Sequence, residues 1–115
     1  MHEEKHKKLE DTVIRLSLNK KHDPHGIYMK QYENAKILSR KFTGVGFFTE
    51  FIIPDELILS EESKDFCVVT GHFNDTEALQ LFVIFINKGK LDMLEGFVTY
   101  DDWRYDYENM RLVLC

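Results

Sequence analysis

Residues 79–100, LQLFVIFINKGKLDMLEGFVTY, decide the fold. Leu79, Leu81, Val83 and Phe85 occupy one parity of the first half, and Phe82, Ile84 and Ile86 occupy the other. A strand that is apolar on both faces suits an inner position covered on two sides. Asn87-Lys88-Gly89 supplies the residues that tolerate positive φ in a tight hairpin turn. The return strand carries Leu91, Met93 and Phe97 on one face, with Glu95 interrupting it.

Further strands flank this hairpin. Residues 37–54, ILSRKFTGVGFFTEFIIP, are rich in β-branched and aromatic side chains and read as a strand that Pro54 ends. Gly44 and Gly46 flank Val45, which predicts a bulge or a close backbone approach in mid-strand. Residues 55–64 read as a loop. Residues 66–73, FCVVTGHF, form another strand, which Asn74-Asp75 turns toward the hairpin. The alternating tail MRLVLC is suited to an edge strand.

The N-terminal part is helical. Residues 3–18 place Leu9, Val13 and Leu16 on a narrow apolar stripe, with Ile14 and Leu18 on the far side. Asp23-Pro24 reads as an N-cap with proline in the first turn, opening a short second helix. Tyr28, Tyr32 and Ala35 share one face of that helix. Helices followed by consecutive strands predict a single α+β domain over residues 1–115. Its helices pack on one face of a four- or five-stranded, mostly antiparallel meander sheet.

Size permits such a core. A chain of 115 residues and 13.7 kDa, 43% hydrophobic, is one domain. The scaling relation gives about 6,600 Å² of accessible surface when folded, against roughly 20,000 Å² unfolded. Cys67 sits in an apolar run and Cys115 ends the sequence, which is no disulfide framework and fits a reducing compartment. The charged N-terminus has no apolar region of a secretory signal behind it, and the run 81–86 is too short to span a bilayer. The expectation is a cytoplasmic protein that does not enter a membrane.

The net charge of −5 is unevenly spread. Up to Lys41 there are 10 bases and 6 acids, giving +4; the remainder holds 5 bases and 14 acids, giving −9. An acidic sheet surface of this kind either is a solvation pattern or meets a basic protein partner. Nucleic-acid binding is disfavoured, because the aromatic residues lie in the acidic part and not among clustered Lys and Arg.

Few motifs carry chemistry. His22-Asp23-Pro24-His25, with His2 and His6 upstream, matches no structural zinc spacing, and no metal or cofactor is expected. The Thr43–Phe48 glycine run lacks both the dinucleotide fingerprint and the phosphate-loop lysine. Cys67 has no neighbouring positive charge, and no serine sits in an elbow motif, so no catalytic residue is assigned. His72 becomes a base only if Glu95 or Glu50 faces it across the sheet.

Glu95 has three readings. A bulge at Gly96 turns it outward, an arginine or tyrosine pairs with it, or it lines a pocket. The following stretch 100–107, YDDWRYDY, has the composition of an interaction surface. It also suits a loop folding its aromatics back onto the sheet edge. The candidate binding residues are Glu95, Tyr100, Asp101, Asp102 and Trp103.

The segments TGVGFFTEF (43–51) and LEGFVTYDDW (94–103) resemble those of a group of small uncharacterised bacterial proteins. The resemblance implies a bacterial cytoplasmic protein and places Gly44, Gly46, Glu95, Gly96, Tyr100 and Trp103 in a recurring pattern. It implies no activity. The functional expectation is a non-enzymatic binding protein acting through an acidic aromatic surface, immunity- or antitoxin-like toward a basic partner. The alternative is a small-molecule-binding or hydrolytic domain, with Glu95 and His72 in a pocket between helices and sheet. A homodimer through an exposed sheet edge or face is the third possibility.

Overall fold

The computed structural model describes residues 2–115, with His2 described by its backbone only. Two helices, α1 (His2–Ser17) and α2 (Ile27–Glu33), precede six strands: β1 (Lys36–Phe42), β2 (Gly46–Ile52), β3 (Lys64–His72), β4 (Leu79–Asn87), β5 (Lys90–Val98) and β6 (Arg111–Leu114). All pair antiparallel in the order β1-β2-β5-β4-β3-β6. The class is α+β, as expected, but the sheet has six strands and is not a simple meander. After the β1–β2 hairpin the chain crosses to β3, returns through β4 to β5 beside β2, and finally places β6 outside β3.

The extra strand comes from the glycine segment. Residues 37–54 do not form one strand with a mid-strand bulge. Thr43 N–H donates to Gly46 O at 2.9 Å and closes a turn in which Gly44 has φ 88. Gly46 then meets β5 so closely that a Cβ there would lie 2.0 Å from Gly96 O. The β4–β5 turn is as expected, with φ 51 at Lys88 and φ 77 at Gly89.

The helices cover one face only. Along α1 the buried positions are His6, Leu9, Glu10, Val13, Ile14 and Ser17, a three-and-four spacing that includes polar residues, followed by Leu18 beyond the helix end. Leu16, expected on the apolar stripe, is exposed, and Ile14 replaces it. Opposite lie Phe47, Thr49 and Phe51 of β2, Leu91 and Leu94 of β5, Phe82, Ile84 and Ile86 of β4, and Val69 of β3. The thinnest dimension is 19 Å, the thickness of one helix layer on one sheet. The accessible surface, 6874 Å², matches the size expectation, so two layers suffice to bury the core.

Buried polar groups fasten α2 and the long connector. Asp23 accepts from the N–H groups of Tyr28 (3.1 Å) and Met29 (2.9 Å), so it caps α2 across the left-handed Gly26. Gln31, fully buried, donates to Leu57 O (2.9 Å) and Gly89 O (2.8 Å) and accepts from Leu91 N–H (2.8 Å). One side chain thereby joins α2, the β2–β3 connector and the β4–β5 turn.

Candidate functional site

Glu95 lies on the uncovered face of the sheet. The register of β4 and β5 slips between Phe85 and Ile86, where Met93 and Leu91 are their respective partners. The slip leaves Asp92 as the extra residue and reverses the parity of β5 from there on. Leu91 and Leu94 therefore both face the helices, while Met93, Glu95 and Phe97 face away, half-buried. A bulge does turn Glu95 outward, as the first reading supposed, but it lies at Asp92 and not at Gly96. Gly96 faces the helices, where Phe47 Cε1 would be 2.3 Å from an added Cβ.

Residues directly opposite across paired strands share a face. Glu95 is flanked by Phe48 of β2 and Val83 of β4, and by Met93 and Phe97 along its own strand. Leu79, Leu81 and Phe85 extend the same face, with Thr70, His72 and Val113 beyond them. The inner strand is thus apolar on both sides, yet only one side is covered, and its outer residues are half-buried. Among the described residues no hydrogen bond or ion pair engages the Glu95 carboxylate. The nearest cross-strand acid, Glu50, accepts from Ser39 Oγ at 2.8 Å.

The pocket expected between helices and sheet is not formed around these residues. That interface is filled by fully buried Phe47, Phe82, Ile84 and Leu94. His72 and Glu95 both lie on the opposite face, where His72 is paired with Leu79 and Glu95 with Val83. The Nε2 of His72 lies 3.0 Å from Thr70 Oγ1. No base–orienter pair results.

The acidic aromatic segment divides. Tyr100, Asp101 and Asp102 are exposed, as an interaction surface requires, and Asp101 has φ 69. Trp103, read either as an exposed anchor or as a ring folded back onto the sheet, is 4% exposed. Its N–H backbone group donates to Gly44 O at 2.9 Å, and its ring stands edge-on to Phe47 and Phe82 on the helix side. Trp103 and Glu95 therefore lie on opposite faces and share no cavity.

Sequence reasoning missed a second constellation, beneath α1. Glu10, with a side chain 5% exposed, accepts Arg40 Nε at 2.8 Å and Arg40 Nη2 at 2.6 Å, and also accepts from the Thr49 hydroxyl. Burial pushes the Glu10 carboxyl up, but the hydrogen bonds from Arg40, His6 and Thr49 outweigh it and hold the group at about 2. His6 Nε2 lies 2.8 Å from Glu10 Oε2, off the line of a straight hydrogen bond. His6 Nδ1 is 3.0 Å from the Tyr107 hydroxyl, which accepts from Trp103 Nε1–H at 3.0 Å. In a neutral ring these donors leave Tyr107 to donate to Nδ1 and put the proton on Nε2, toward Glu10.

A depression of about 460 Å³, lined by Glu3, His6, Arg40, Phe42 and Tyr105, opens beside this network. Both His6 nitrogens and both Glu10 oxygens already have protein neighbours. The network can hold α1 on the sheet, but it leaves no free base or acid for a substrate. Its signal in the sequence was the i, i+4 spacing of His6 and Glu10 in phase with Leu9 and Val13.

The remaining histidines assemble no ligand set. His22 stacks on Phe66 with the rings 4.4 Å apart, and burial, with Lys21 and Lys64 nearby, pushes its pKa down. Among the described residues no group of three or more His, Cys, Asp or Glu could hold a metal ion; the His2 side chain lies outside those residues. No helix among them is long and apolar enough to cross a membrane. Comparison with protein-family models, with curated proteins and with solved structures finds no match to this chain.

Proposed function

We propose that this chain is a non-enzymatic, cytoplasmic binding protein whose contact surface is the uncovered face of the sheet. The observation that carries the reading is Glu95, an unpartnered carboxylate set between Phe48 and Val83 on an apolar face. A partner that offers apolar side chains around one lysine or arginine would cover the face and neutralise the charge at once. The molecular extents of 44 and 27 Å bound this face at roughly 1,200 Å², which leaves room for the 800 Å² or so that each partner buries in a stable complex. Exposed Tyr100, Asp101 and Asp102 add acidic character where the chain leaves β5. A basic protein is the partner this chemistry fits, as in an immunity- or antitoxin-like pairing.

Capture of strongly basic proteins from native extract tests the reading, comparing the unaltered chain with Glu95→Lys and with Glu56→Lys, an exposed acid of the β2–β3 connector. The expected result is at least about a tenfold loss for Glu95→Lys and none for Glu56→Lys. Equal capture by both variants, or no basic protein captured, would overturn it. So would light scattering that finds a dimer which Glu95→Lys dissociates, because a second copy would then occupy the face.

A further inference from the structure

The two cysteines, far apart in sequence, meet at one end of the β3–β6 pair. β6 lies antiparallel to β3 with Val69 opposite Leu114, and one step further Cys115 N–H donates to Val68 O at 2.7 Å. Cys67 precedes that residue in the irregular stretch of β3 between Phe66 and Val69. Its Sγ donates to Val69 O at 3.6 Å. Both thiols are free and exposed. Partial burial of its sulfur pushes the Cys67 thiol up, and the neighbouring Cys115 thiol adds to the effect.

A regular ladder would not achieve this. Cys115 stands opposite Val68, so in a regular strand the side chain of Cys67, one residue away, would point to the other face of the sheet. The extra residue in β3 bends the strand and frees Cys67 from the ladder, so its sulfur can turn toward Cys115.

We propose that Cys67 and Cys115 form an oxidative modification site, in which a peroxide converts the two thiols into a disulfide that ties β6 to β3. One thiolate attacks the peroxide O–O bond, becoming a sulfenic acid and releasing hydroxide or alkoxide. The second thiolate then displaces the sulfenic hydroxyl as water, and the S–S bond forms. Two thiols lose two protons and two electrons, and the peroxide takes up both.

The bond would change an edge. β6 is four residues long and pairs only with β3, so it is the strand of the sheet held by the fewest backbone bonds. Oxidation ties it covalently in place, and thiol reduction leaves it held by the β3–β6 ladder alone. The site is independent of which partner, if any, the sheet face takes.

The test treats the folded, full-length chain with a few equivalents of hydrogen peroxide, followed by thiol titration, intact mass and thermal melting. The expected product is a monomer lighter by two hydrogens, with both thiols lost together and recovered by dithiothreitol. It should melt several degrees higher than the reduced chain. Cys67→Ser and Cys115→Ser should each abolish the loss of hydrogens. Oxygen addition without linkage, disulfide-linked dimers as the main product, or an oxidised monomer that melts no higher would each overturn the proposal.

Discussion

Arg40 grips Glu10 with two parallel hydrogen bonds, 2.8 and 2.6 Å long, across the junction of α1 and the sheet. The carboxylate is nearly sealed from water, whereas the guanidinium is 19% exposed. Removing the cation leaves a buried charge with only Thr49 and His6 to compensate it. Arg40→Met is expected to lower stability by about 3 kcal/mol, read from urea unfolding monitored by circular dichroism. A loss below about 1 kcal/mol would show that the pair is no more than a surface contact.

The same carboxylate makes stability depend on acid. Glu10 titrates at about 2 in the folded chain, below its ordinary value of 4.5. The ionised form therefore favours the fold: its contribution is fully present above about pH 5 and is lost as pH falls toward 2. The displacement corresponds to about 3 kcal/mol. Urea midpoints measured from about pH 5 to about pH 2 should fall steeply in the unaltered chain. In Glu10→Gln the fall should be shallower, from a lower starting point.

Trp103 is the chain's one tryptophan and reports its own burial. Native emission should be blue-shifted and weakly quenched by acrylamide, and it should shift to the red on unfolding. Tyr107→Phe leaves both Trp103 Nε1 and His6 Nδ1 without their shared partner. A cost of about 1–3 kcal/mol is expected, with the fluorescence transition moving to lower denaturant.

Gly96 has no room for a side chain. Phe47, 1% exposed, would be 2.3 Å from the new methyl carbon and is itself hemmed in by Phe82 and Trp103. Gly96→Ala should destabilise by about 1–3 kcal/mol in thermal or urea unfolding. Glycine is needed at this position for space, since its backbone is not among those with positive φ.

How far the sequence could be read follows from these residues. The β4–β5 hairpin was legible because its apolar run is long and its turn residues are diagnostic. The two helices were legible from their period, although α2 starts at Ile27, beyond the expected Asp23-Pro24 opening, and ends before Ala35. The polar part of α1 was not, because an apolar count skips His6 and Glu10, although they lie in phase with Leu9 and Val13. The face of Glu95 stayed open between three readings because one extra residue at Asp92 reverses parity, and nothing in the local composition marks it. Trp103 was ambiguous for a different cause. An aromatic among acids looks exposed until the β1–β2 turn is known to supply Gly44 O and a wall of Phe47.

One contact pattern has a consequence for how the molecule opens. Lys5 meets Glu108 at 3.1 Å and His6 meets Tyr107 at 3.0 Å, so the first helix is stitched to a 3-10 turn a hundred residues later. Chain segments near either end of a domain usually fray independently, at little cost. Here, peeling away α1 or residues 107–109 strips the same histidine and the same tyrosine of their partners. Amide hydrogen exchange along α1 and residues 107–109 should then share one opening free energy, so that two stretches at opposite ends of the sequence behave as a single cooperative unit.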